Sequence, residues 1–63
     1  MKIKVGDWVY IVNGVHSGNW GQLTDVNIQD DEYTVSGGSV DAVMVCKEDL
    51  KRCKDGKRPD GKA

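Results

Sequence analysis

A chain of 63 residues, 30% charged and 38% hydrophobic, holds one domain, and folding removes only about 60% of the surface its unfolded form exposes. No apolar run approaches the ~18 residues of a membrane span, and the opening MKIKVGDWVYIV lacks the apolar core and cleavage site of a secretory signal, so a cytoplasmic protein with no membrane partner is expected. The formal net charge of −1 hides a division, because residues 1–50 carry three basic against eight acidic side chains and residues 51–63 carry six basic against two acidic.

Taken in chain order, Trp8 to Val12 alternates with period two, placing Val9 and Ile11 on one face and Trp8, Tyr10 and Val12 on the other, which predicts a first strand. Asn13-Gly14 stops it, and Ser17-Gly18-Asn19 supplies loop residues that accept positive φ. A second strand resumes near Gly21. Its apolar residues, Leu23, Val26 and Ile28, are spaced by three and then two, so a bulge or bend near Thr24-Asp25 is needed to bring them together. The polar QDDE run is a turn, and EYTVS is a short strand with Tyr33 and Val35 on one face. Gly37-Gly38 signals a hairpin. SVDAVMVC then gives a fourth strand with Val43 and Val45 inward. KEDLKRC is long enough for one 3₁₀ turn anchored by Leu50, followed by a brief last strand including Arg52 and Cys53.

From Lys54 onward the only apolar residue is Ala63, so residues 54–63 are expected to be a disordered basic tail. The preceding strands, joined by glycine-containing turns, predict an all-β domain over residues 1–53, a small antiparallel barrel of about five strands with a single 3₁₀ turn before the last. Gly14, Gly18 and Gly21 are expected at barrel corners where a side chain would collide with neighbouring backbone.

The glycines do not make a phosphate loop, which requires a following helix whose amino terminus binds the phosphate. A strand pattern follows Gly21 instead. Cys46 and Cys53 read as one surface and one buried free thiol, and with the lone His16 they lack the ligand count and spacing of a zinc site. His16 has no nucleophile partner in the sequence, and Ser17, Ser36 and Ser39 sit in no elbow motif. No enzyme, cofactor, metal or small-molecule substrate is therefore expected. Asp7, following Gly6 at the start of a strand, reads as a structural residue that bonds backbone N–H groups.

The pattern Lys4-x-Gly6-Asp7-x-Val9-x-Ile11-x-x-Gly14-x-x-x-Gly18-x-x-Gly21-x-Leu23-x-x-Val26 resembles the KOW element. This is an SH3-like β-barrel segment found in ribosomal proteins, NusG-type transcription factors and small translation-associated or phage-encoded proteins. VMVCKEDL resembles the closing strand and 3₁₀ turn of such a barrel, and the resemblance covers about residues 2 to 53. It implies an SH3-like barrel and a binding module, most commonly for nucleic acid.

Three groups of residues are candidates for binding. Trp8, Tyr10, His16 and Trp20 are placed to stack on bases or anchor a protein. Lys51, Arg52, Lys54, Lys57 and Arg58 supply attraction to phosphate. Asp30, Asp31, Glu32 and Asp41 make an acidic edge suited to a basic protein surface. The first expectation is a non-enzymatic nucleic-acid- or ribonucleoprotein-associated accessory factor with RNA or DNA as partner. The alternative is a protein-interaction module, a regulator or inhibitor encoded by a phage or mobile element, meeting a host or cellular protein. Family usage favours the first; the acidic body, and a first loop without Lys or Arg, favour the second.

Overall fold

The computed structural model describes residues 3–59. Five strands, β1 (Trp8–Ile11), β2 (Trp20–Asn27), β3 (Glu32–Gly37), β4 (Val40–Val45) and β5 (Leu50–Arg52), form one antiparallel sheet in the order β4-β3-β2-β1-β5. Among the described residues β4 and β5 do not pair, so the sheet is not closed. The domain is all-β, as the strand patterns predict, and no helix among the described residues is long and apolar enough to cross a membrane.

The alternation in β1 works as expected. Val9 and Ile11 are fully buried while Tyr10 is exposed. A turn leads into it, with the Asp7 N–H donating to the Lys4 carbonyl at 3.0 Å and Gly6 at φ 101, a conformation that favours glycine at the third turn position. β2 pairs with both β1 and β3 and breaks register with β3 between Leu23 and Asp25, which is the bulge demanded by the uneven spacing of its apolar residues. Leu23 is thereby fully buried and Val26 packs against the core. Ile28 falls beyond the strand and is 78% exposed, outside the core its spacing suggested.

The core consists of Val9, Ile11, Leu23, Tyr33, Val35 and Leu50, flanked by Ile3, Val26, Val40, Val43 and Val45. It is supplied by β1, β2, β3 and β5, with β4 packed against it. Burial of side chains of this size stabilises by roughly 1.5–3 kcal/mol each, and Leu50 does so from the start of β5, directly after the 3₁₀ turn Lys47–Asp49. That turn is fastened to the β2–β3 connection, because the Lys47 N–H donates to Asp31 Oδ1 at 3.1 Å.

Two expectations need correction. A Cβ on Gly21 would lie 2.8 Å from Val35 Cγ1 and 2.9 Å from the Ser36 carbonyl, but nothing stands near Gly18 and only the Asp49 carboxylate, at 3.5 Å, near Gly14. Gly21 is thus a close-approach position, whereas Gly14 and Gly18 are needed for positive φ, at 87° and 94°.

The second correction concerns the tail. Lys54–Gly56 forms a second 3₁₀-type turn, with the Gly56 N–H donating to the Cys53 carbonyl at 2.8 Å and the Lys57 N–H to the Lys54 carbonyl at 3.0 Å. Composition suggested no order here because the segment has no apolar side chain to bury. Its contacts come from backbone hydrogen bonds and cation–ring packing instead. Residues 60–63, the rest of the expected tail, lie outside the described residues, as do residues 1 and 2.

Candidate functional site

Directly opposed residues of antiparallel strands share a face of the sheet. The pairings Trp8 with Gln22, Tyr10 with Trp20 and Tyr10 with Lys51 therefore gather Trp8, Tyr10, Trp20 and Lys51 on the face away from the core. The two indoles lie 5.7 Å apart between centroids with their planes at 41°, within the range of favourable tilted aromatic pairs. Both are half-buried.

The hairpin tip positions Trp20. Its N–H donates to Ser39 Oγ at 2.9 Å, and the Ser39 N–H donates to the Trp20 carbonyl at 3.0 Å. Ser39 Oγ also reaches Asn19 Oδ1 at 3.1 Å. A Cβ on Gly38 would meet Trp20 Cε3 at 2.6 Å, so glycine there lets the ring lie against the turn. Ser39 and Gly38 are site residues that no chemical motif marks, because their contribution is position and space.

Across the indoles lies the segment after β5. The Arg58 guanidinium stands 5.2 Å from the Trp8 ring centroid and 5.4 Å from that of Trp20, a cation–π distance for both. An open groove of about 540 Å³ beside it is lined by Tyr10, Cys53, Lys54, Asp55, Lys57, Arg58 and Pro59. Lys54, Lys57 and Arg58 are exposed. Aromatic residues and basic residues, separated by more than thirty positions in the chain, thus share one surface.

Two sequence candidates stand elsewhere. His16 is half-buried in the β1–β2 loop, where its carbonyl accepts from Asn19 Nδ2 at 2.9 Å, and it is not among the residues lining the groove. Arg52 is turned to Asp7, its Nε donating to Asp7 Oδ2 at 3.1 Å. The four acidic candidates do not make one edge. Asp30, Asp31 and Glu32 lie at the β2–β3 turn, whereas Asp41 is on β4 next to the hairpin at the other end of β3.

Among the described residues Asp7 is the buried charged one, 6% exposed. It accepts from the Lys4 N–H at 3.1 Å, the Lys4 ammonium at 3.3 Å and Arg52. Burial works to raise its pKa, but the Lys4 and Arg52 hydrogen bonds outweigh it and hold the carboxyl below its ordinary 3.8. The segment after β5 is seated on this cluster, since a Cβ on Gly56 would stand 2.7 Å from Asp7 Oδ1 and 3.1 Å from Arg52 Nη2.

The thiols are unbridged, Cys46 exposed and Cys53 buried. Desolvation, then the carboxylates of Asp31, Asp49 and Glu48, push the Cys46 thiol up, and burial does the same for Cys53. Neither environment promotes the nucleophilic thiolate. Among the described residues no three His, Cys, Asp or Glu side chains gather in a group that could hold a metal ion. No family model, curated protein or solved structure matches this chain.

Proposed function

We propose that this chain is a KOW-type, SH3-like small barrel acting as a non-enzymatic binding module for single-stranded nucleic acid, an accessory factor to RNA or to a ribonucleoprotein. The fold reading is supported by the strand order, the bent β2 and the return of β5 onto β1 after a 3₁₀ turn. The observation that carries the functional reading is the Trp8–Trp20 pair beneath a basic segment. Bases stack on aromatic platforms while neighbouring cations follow the phosphates. Lys51, Lys54 and Lys57 supply those cations beside the rings. The acidic β2–β3 turn at the far end of β3 then keeps the strand to the aromatic end by like-charge repulsion.

Titration of the full chain with a labelled single strand of ~12 nucleotides, followed by indole fluorescence, tests this reading. Contacts to about three phosphates give a salt slope near −2 for a single strand, so affinity is expected to fall roughly twentyfold between ~50 and ~200 mM salt. A duplex of the same length should bind more weakly because its bases are not free to stack. No binding of the single strand at the lower salt refutes the proposal, and a salt-insensitive complex with one protein favours the protein-interaction alternative.

A further inference from the structure

The Arg58 guanidinium occupies the surface that a base would need. The indole planes meet at 41° and the guanidinium lies near both centroids, at 5.2 and 5.4 Å, so one planar cation covers the open side of the pair. We infer that the strap Lys54–Pro59 is a built-in cover of the binding surface, with Arg58 as an intramolecular competitor that a stacking ligand displaces. This rests on the proposed nucleic-acid reading for the identity of the ligand, but the cover can be measured without one.

The strap has a half anchored on the turn and a half that stacks on the rings. Its first half is fixed, through the hydrogen bond from the Gly56 N–H to the Cys53 carbonyl and the packing of Gly56 on Asp7 and Arg52. Gly56 stands at φ 67 and Asp55 at φ 58. Beyond Lys57, whose N–H closes the turn on Lys54, Arg58 stacks its guanidinium on two rings of the sheet. An attraction of this type at an exposed side chain is weak. That is weak enough for a base to replace and strong enough to lower the apparent affinity, because a ligand that must open its site binds in proportion to the open fraction.

A neutral variant alone would mix two effects, since removing the positive charge also removes attraction for phosphate. Arg58→Lys keeps the charge while losing the planar group that lies flat on a ring. Acrylamide quenching of the indoles, measured without ligand, is expected to rise about twofold in Arg58→Ala and to rise detectably in Arg58→Lys as the cover is lost. Oligonucleotide binding by Arg58→Lys is expected to be about threefold tighter than that of the unaltered chain at both salt concentrations, with the salt slope unchanged. Unchanged quenching in Arg58→Ala overturns the cover. Increased quenching with equal or weaker oligonucleotide binding by Arg58→Lys overturns competition. If neither protein binds the single strand, the nucleic-acid reading and the competition fall together, and increased quenching still supports the cover itself.

Discussion

Replacing Asp7 by alanine tests the central electrostatic claim. Its side chain is 8% exposed and accepts three hydrogen bonds, from the Lys4 N–H, the Lys4 ammonium and the Arg52 guanidinium. The Lys4 side chain is 73% exposed, so its pairing contributes less than about 1 kcal/mol. Arg52 is only 25% exposed, and a hydrogen bond between charged groups in such a setting is worth about 1.5–3 kcal/mol. Adding the lost backbone bond gives a cost of roughly 3 kcal/mol for Asp7→Ala. A domain of this length has a total stability of only ~3–9 kcal/mol, so the variant should lose at least a third of it, with Tm falling by roughly 12–24 °C.

Acid acts in the same direction by protonating the same group. The folded-state pKa lies below 3.8, so the contribution is complete above the unfolded-state value and is lost as pH falls through the folded-state one. Urea titrations followed by circular dichroism at pH 7 and pH 3 should show a stability gap between the unaltered chain and Asp7→Asn that narrows at the lower pH. A cost below about 1 kcal/mol for Asp7→Ala at pH 7, or a gap independent of pH, would refute this reasoning.

Gly21→Ala should destabilise by about 1–3 kcal/mol in the same urea assay, because its Cβ meets Val35 and two backbone carbonyls within 3.1 Å. Ala42→Gly should stabilise by roughly 0.5–1 kcal/mol, since Ala42 stands at φ 59 and left-handed strain in a residue with a Cβ exceeds the entropic cost of glycine. Ser39→Ala should cost about 1 kcal/mol and raise acrylamide quenching of Trp20 by releasing its hydrogen bonds to the hairpin tip. Under native conditions a thiol reagent should label Cys46 first and Cys53 only as the domain opens, seen by mass spectrometry as one early adduct and one late.

What the sequence disclosed was periodicity and local punctuation. Val9, Ile11, Tyr33 and Val35 could be assigned inward from alternation alone, and the bulge at Leu23–Asp25 from the arithmetic of apolar spacing. The outer-face placement of Trp8 and Tyr10 followed from the same alternation. The pairing of Trp8 with Trp20 depends on the register of β1 against β2, which sets Tyr10 opposite Trp20, and on the hold of Ser39 on Trp20. The strap was hidden for a different reason. Lys54–Pro59 has a solvated composition, and only the folded sheet supplies the rings for Arg58 and the carboxylate beneath Gly56. Arg52 illustrates the same limit, since its positive charge was visible but its partner lies 45 residues away.

The positive φ of Ala42 carries a consequence for the company this chain keeps. β4 forms one border of an open sheet, and such borders offer unpaired N–H and carbonyl groups to any passing extended chain. Here the register with β3 shifts between Val35 and Gly37, with Asp41 and Ala42 lying opposite that break. A flat, continuous row of hydrogen-bonding groups is thereby interrupted and flanked by a carboxylate, which discourages strand-by-strand growth into aggregates. The local strain at Ala42 is the energetic counterpart of that interruption, so flattening this border should increase aggregation.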